Sequence, residues 1–200
     1  IDDQVKIRGF RIELGEIEAA LAALPGVREA LVLVREDVPG DKRLAAYLVW
    51  QEGANELDAS GLRTALLRSL PGYMVPSYFV AIAQFPLTPN GKIDRRALPA
   101  PDSARSEDGY VAPRTPTEEL LAGIWAELLK FDKVGVRDDF FALGGHSLLA
   151  TQVVSQVRRD FAVELPAGAL FEASTIEALA QWVDALGRQQ NRAILPPLVP

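Results

Sequence analysis

Between Pro99 and Pro113 the hydrophobic pattern of this chain stops. The stretch carries Pro99, Pro101 and Pro113 among Ser103, Ser106, Asp108 and Gly109, with no apolar residue recurring at a helix or strand period. Apolar side chains on its two sides must therefore be buried in two separate cores. Proline-rich segments of this kind are semi-rigid spacers rather than free coils.

The periods on the two sides differ. Before the spacer, polar and apolar residues alternate from Asp2 to Ile12, with Gly9 in the middle. That predicts a β-hairpin, or a strand bent or bulged sharply at the glycine. Ile17, Ala20, Leu21 and Leu24 then share one helix face, stopped by Pro25-Gly26. Ala30 to Val34 and Leu44 to Trp50 read as strands around a Pro39-Gly40-Asp41 turn. Asp58 caps a helix carrying Leu62, Leu66 and Leu70, and Tyr78 to Ile82 is a further strand. The order β-α-β-β-α-β predicts a small α+β subdomain, a short sheet with packed helices.

After the spacer the period is helical. Thr115-Pro116-Thr117-Glu118 is a capping box with proline at the first helical position. It opens a helix to about Lys130 with Leu120, Leu121, Ile124, Trp125, Leu128 and Leu129 in its stripe. A second helix places Leu149, Val153, Val157 and Phe161 at helical spacing, and Leu165 to Phe171 suggests a short third one. Ser174-Thr175-Ile176-Glu177 is a second capping box, opening a last helix through Leu186. The expected fold of this half is an all-α four-helix bundle with one short helix. The bundle is only about 75 residues, so its core is thin.

Composition removes several functions. No cysteine is present, so disulfides and cysteine-based zinc sites are excluded, in keeping with a reducing cytoplasm. No run of 18 apolar residues exists to span a membrane. Residues 1–100 hold 12 basic and 13 acidic side chains, a net of −1, and residues 101–200 hold 9 and 14, a net of −5. The acidic half predicts no nucleic-acid partner and favours partners with basic surfaces. The chain begins at Ile1, its only methionine is Met74, and it ends in Leu195-Pro196-Pro197-Leu198-Val199-Pro200, so both ends are expected to be cuts in a longer polypeptide.

The chemistry concentrates around Ser147. Phe140-Phe141-Ala142-Leu143-Gly144-Gly145-His146-Ser147-Leu148-Leu149 puts a hydroxyl where a helix begins. Free backbone N–H groups and the helix dipole there favour an anion. His146 is the only histidine and no third group completes a nucleophile-base-acid set, so a Ser-His-Asp engine is not expected and His146 reads as a surface contact. On residue types alone the glycines could equally be a loop and Ser147 a helix cap. Arg158 and Arg159 read as a solvated face. Leu148, Phe171 and Ala173 are candidates for a recognition surface or for the bundle core.

The run from Phe140 to Leu149, preceded by Asp138-Asp139, resembles the attachment site of peptidyl carrier (thiolation) domains of non-ribosomal peptide synthetases. The first half resembles the C-terminal subdomain of their amino-acid adenylation domains. Asp2 to Glu18 is similar to a late core motif of that family, Leu70-Pro71-Gly72-Tyr73-Met74-Val75-Pro76 to another, and Asn90-Gly91-Lys92-Ile93-Asp94-Arg95-Arg96-Ala97-Leu98-Pro99 to the last. The resemblance implies a mobile lid over residues 1–98, a linker over 99–114, a carrier domain over 115–187 and a linker to a following domain over 188–200. It implies 4′-phosphopantetheine attached to Ser147, which would carry an aminoacyl or peptidyl thioester on a thiol this cysteine-free chain lacks. It makes Lys92 the catalytic lysine of adenylation, Asp2 the hinge, and Gly9 part of the loop lining the pantetheine tunnel. The residue-level alternatives are a solvated lysine on an Asn-Gly hairpin turn, a surface turn at Asp2, and a β-bulge at Gly9.

The implied activity is ATP-dependent amino-acid adenylation and thioester formation, with ATP and Mg2+ bound only with the large adenylation subdomain, absent from these residues. This fragment alone is then not competent. Implied partners are that large subdomain, a downstream condensation domain, a phosphopantetheinyl transferase with coenzyme A, and a small MbtH-like activator. The competing readings are a loading module for an aryl or fatty acid and a non-enzymatic interaction protein.

Overall fold

The computed structural model describes residues 4–101 and 110–194. The chain divides between residues 103 and 104 into two compact units. Both belong to the expected classes, an α+β lid and a bundle of helices.

In the first unit, β1 (Gln4–Ile7) and β2 (Phe10–Glu13) form an antiparallel hairpin with Ile7 opposite Phe10 and Val5 opposite Ile12. Arg8 and Gly9 at its tip have φ of 49° and 83°. That is the left-handed pair a two-residue hairpin turn demands, so Gly9 sits in a turn and not in a bulge. α1 (Leu14–Ala22) follows and buries Leu14, Ile17 and Leu21.

β3 (Val27–Val38) and β4 (Asp41–Trp50) pair antiparallel. After α2 (Ala59–Leu66), β5 (Tyr78–Ala81) joins the other side of β4 in parallel, giving the order β3-β4-β5. A helical crossover is what a parallel neighbour needs. β4 is central and covered on both faces, so Leu44 to Val49 are all buried. Leu44, Ala46 and Leu48 pack with α1 and α2 through Ile17, Leu21, Leu62 and Leu66. Ala45, Tyr47 and Val49 face the opposite layer with Leu31, Phe85 and Leu98. Asp58 caps α2 by accepting from the Gly61 N–H. The helix ends at Leu66, earlier than the leucine spacing suggests, although Leu70 still reaches the core.

The start of the sequence-assigned linker packs on this unit. Leu98 and Pro101 are buried, and the Tyr47 hydroxyl donates to the Pro99 carbonyl at 2.8 Å. Arg35 donates in turn to that hydroxyl at 3.1 Å.

The second unit contains α3 (Pro116–Leu129), α4 (Ser147–Phe161), the single turn α5 (Ala169–Glu172) and α6 (Ile176–Ile194). α6 continues through residues 188–194, which the sequence reading assigns to a following linker. Trp125 is fully buried at the centre, among Leu121, Phe140, Val153, Leu165 and Ile176. Leu120, which the sequence reading includes in the stripe of α3, is 56% exposed and does not join the buried face. No helix among the described residues is long and apolar enough to cross a membrane.

The first capping box forms as the sequence predicts, with Thr115 Oγ1 accepting from the Glu118 N–H. The second is shifted by one residue. Thr175 Oγ1 accepts from the Ala178 N–H, which leaves Ser174 and Glu177 to other partners. Arg114 bridges Glu118 at 3.0 Å and Glu177 at 2.6 Å, and so ties the entry of α3 to the start of α6. Its hydrogen bonds hold the Glu118 carboxyl below its ordinary value of 4.5. A depressed carboxylate stabilises the fold above the unfolded value and stops doing so as acid titrates the folded one. Stability of this unit is therefore expected to fall as pH drops below about 4.5 through the lowered Glu118 value. Urea midpoints from neutral pH into acid should show that slope, and Arg114→Ala should flatten it.

Candidate functional site

The loop from Asp139 to His146 is held by one carboxylate and two rings. Asp139 Oδ1 accepts the N–H groups of Phe141 and Ala142, both at 3.0 Å. Its Oδ2 accepts the Ser174 hydroxyl at 2.6 Å, and the Phe140 N–H donates to the Ser174 carbonyl at 2.7 Å. Phe140 meets Trp125 edge-on at 5.0 Å, and Phe141 stacks on Phe171 at 5.1 Å. The loop is thereby pinned to the residues just ahead of α6.

Gly145 folds back against Phe140 and donates to its carbonyl at 2.9 Å. A Cβ there would stand 2.2 Å from the Phe140 ring and 2.6 Å from its carbonyl oxygen. Only glycine fits that approach. His146 is then extended, and its Nδ1 faces the Leu149 N–H at 3.5 Å as the cap of α4. It is a half-buried cap rather than the surface contact expected of it.

Ser147 is the first residue of α4 and is half-buried. No acidic residue stands in the first turn. The helix start therefore suits a phosphodiester on the Ser147 oxygen. Leu148 beside it is 66% exposed, whereas Ala173 is buried and Phe171 packs against the core. Of the three recognition candidates, Leu148 alone stands clear of the bundle. Arg158 is not simply solvated, since it donates to the Leu165 carbonyl at 2.7 Å.

In the first unit, Lys92 lies on a tight loop. Thr88 N–H donates to the Lys92 carbonyl at 2.7 Å, Lys92 N–H to Thr88 Oγ1 at 3.2 Å, and Gly91 N–H to the Thr88 carbonyl at 2.9 Å. Leu87 bridges Ile93, and buried Phe85 and Leu98 anchor the two ends of the segment. The base is thus fixed while the Lys92 side chain is exposed at the tip. Gly9 occupies a separate hairpin, and nothing lies within 4 Å of where its Cβ would be. Asp2 lies outside the described residues. No cluster of metal-ligating side chains is found among the described residues.

Residues 16–92 match the AMP-binding enzyme C-terminal domain, and residues 119–183 match the phosphopantetheine attachment site. The chain thus carries both of these domains in succession, as stretches of its nonribosomal peptide synthetase relatives do. It is 53% identical over 202 residues to one of the linear gramicidin synthase polypeptides of Brevibacillus parabrevis, covering 100% of this chain and 4% of that protein. It is 53% identical over 197 residues to the dimodular nonribosomal peptide synthase of Bacillus subtilis (strain 168), covering 98% of this chain and 8% of that one. It thus spans only a small part of the relatives it matches. A crystal structure of a four-domain nonribosomal peptide synthetase bound to AMP and glycine aligns with a TM-score of 0.53 at 45% identity, over 92% of this chain and 14% of the other. The McyG A-PCP structure, complexed with phenylalanyl-adenylate, shares the fold with a TM-score of 0.60 at 21% identity, over 90% of this chain and 32% of the other. The synthetase lid and carrier domain are joined here in the order that the motifs imply.

Sequence reasoning put Ser147 at a helix start, Lys92 on an Asn-Gly turn and Gly9 at a sharp bend, but missed Asp139 and the ring contact at Gly145. An aspartate directly before two phenylalanines and a double glycine was the available signal. Gly145→Ala is expected to lower the stability of the carrier domain by about 1–3 kcal/mol, the usual scale for overpacking a tight site. Gly168→Ala, where an added Cβ meets nothing within 4 Å, is the control. Chemical denaturation followed through Trp125 measures both.

Proposed function

We propose that this chain is the lid and carrier of one synthetase module, with Ser147 as the attachment point of 4′-phosphopantetheine. The observation that carries the reading is the half-buried Ser147 hydroxyl at the start of α4, on a loop immobilised by Asp139 and Gly145. When bound, phosphopantetheine supplies the thiol on which an acyl group travels as a thioester. The protein's part is to present that group from a fixed helix end, with no acidic neighbour in the first turn and with Leu148 exposed beside it.

Lys92 is the group of the lid that meets the reacting phosphate. Attack of a carboxylate on the α-phosphate of ATP builds negative charge, and an ammonium brought in on a rigid loop stabilises it. Its exposure at the tip of a fixed-base loop supports that role. The Gly9 hairpin lines the path of the pantetheine arm, where an open glycine permits close backbone approach. Asp2 is the hinge about which the lid turns. The Tyr47–Pro99 hydrogen bond and the buried Leu98 hold the start of the linker to the lid.

The module acts in the cytoplasm with the large adenylation subdomain, which brings ATP and Mg2+. Its other partners are a phosphopantetheinyl transferase with coenzyme A, a downstream condensation domain and an MbtH-like activator. By analogy with the gramicidin synthase relatives its product is a peptide antibiotic.

Mass spectrometry after incubation with coenzyme A and a phosphopantetheinyl transferase should find one added group per chain and none in Ser147→Ala. Modification of that variant would remove the assignment. In the full-length module, Lys92→Ala should slow adenylation, read by pyrophosphate exchange, by roughly 10²–10³-fold. Transfer from a preformed adenylate should survive, and unchanged adenylation would reject the role of Lys92.

A further inference from the structure

Two large aromatic side chains of the lid stand outside its buried clusters. Phe10 is 47% exposed and Tyr73 is 40% exposed. They come from distant segments, yet their rings stack with centroids 4.2 Å apart and planes 8° from parallel. Phe10 is the residue that follows Gly9 and pairs with Ile7 to close the hairpin turn. Tyr73 is the middle of a one-turn helix over Gly72–Met74.

The two partners differ in how firmly they are held. The Tyr73 turn is anchored, because Met74 is buried and its N–H donates to the Pro71 carbonyl at 3.0 Å, while the Val75 N–H donates to the Gly72 carbonyl at 3.2 Å. Buried Arg63 reaches the Ser77 carbonyl just beyond, at 3.1 Å. The hairpin consists of two strands of four residues each, a unit that is marginal by itself in water. Ile12 secures its middle in the core, and Ile7, opposite Phe10, buries one strand right beside the turn. On the other strand, Phe10 itself is exposed, and besides the stack and buried Ile7 the contact described near the tip is Arg8 to Asp41 at 3.5 Å, a half-exposed pair of little strength. A face-on aromatic contact is the stronger and more directional of the two.

We infer that Tyr73 is a positioning residue for thioester formation: its ring holds Phe10, and through Phe10 sets the place of the Gly9 tip. The inference rests on the reading of that hairpin as the lining of the pantetheine path. Tyr73 acts through the hairpin, so its ring matters and its hydroxyl does not. Adenylation, which uses the Lys92 loop, is independent of it.

The experiment is single-turnover aminoacyl transfer from the adenylate to the carrier in the full-length, phosphopantetheine-loaded module, beside pyrophosphate exchange. Tyr73→Ala is expected to slow transfer about three- to tenfold, the scale of a lost aromatic pair, and to leave pyrophosphate exchange unchanged. Phe10→Ala should do the same, and Tyr73→Phe should keep the wild-type rate. Hydrogen exchange of the Ile7 to Phe10 amides should quicken in Tyr73→Ala but not in Tyr73→Phe. Unchanged transfer in both alanine variants overturns the inference, as does a Tyr73→Phe defect equal to that of Tyr73→Ala, or an equal loss of both half-reactions. Gly9→Val separates the two levels. If it slows transfer while the alanine variants do not, only the role of Tyr73 falls; if it leaves transfer intact, the reading of the hairpin falls as well.

Discussion

The carboxylate of Asp139 is the contact on which the carrier half depends. The stretch between α3 and α4 is irregular, and its backbone groups have no ladder to satisfy them. Asp139 accepts two of those N–H groups with one oxygen and the Ser174 hydroxyl with the other. One side chain thus does for the loop what a cap does for a helix and joins it to a segment 35 residues away. The rings of Phe140 and Phe141 then fill the core beneath. The absence of a side chain on Gly145 lets the backbone turn tightly enough to start α4 at Ser147. The position of Ser147 is in this sense a consequence of core packing.

The lid obeys a different constraint. Its central strand has both faces covered, so β4 must be apolar at successive positions and cannot show alternation. The loops that carry Lys92 and Gly9 are tied to opposite faces of this layer. The Lys92 loop is fixed through Phe85 and Leu98 on one face, and the Gly9 hairpin through Ile7 and Ile12 on the other. Each loop keeps an exposed tip beside buried anchors.

The linker has less free length than its composition suggests. Its first residues, through Pro101, pack on the lid. Its last residues pack on the carrier, where Val136 donates to the Val111 carbonyl at 2.9 Å, Lys133 sits over the Tyr110 ring at 4.5 Å, and Arg114 joins α3 to α6. Both ends therefore belong to folded units.

The sequence by itself determined the two cores, the helix and strand types, and the loops on which Ser147, Lys92 and Gly9 lie. Those features follow from hydrophobic period, proline and glycine placement and short motifs, all of which are local in the chain. Tertiary structure alone decided the parallel pairing of β5 with β4, the exposure of Leu120 on a helix with apolar residues on more than one side, and the shift of the second cap from Ser174 to Thr175. It also decided the partners of Asp139, Glu177 and Tyr73, and turned His146 into a cap. For Asp139 with Ser174, Glu177 with Arg114 and Tyr73 with Phe10 the physical reason is common. A polar or aromatic side chain chooses among partners brought close by folding, dozens of residues away in sequence, and no periodicity in the chain records that choice.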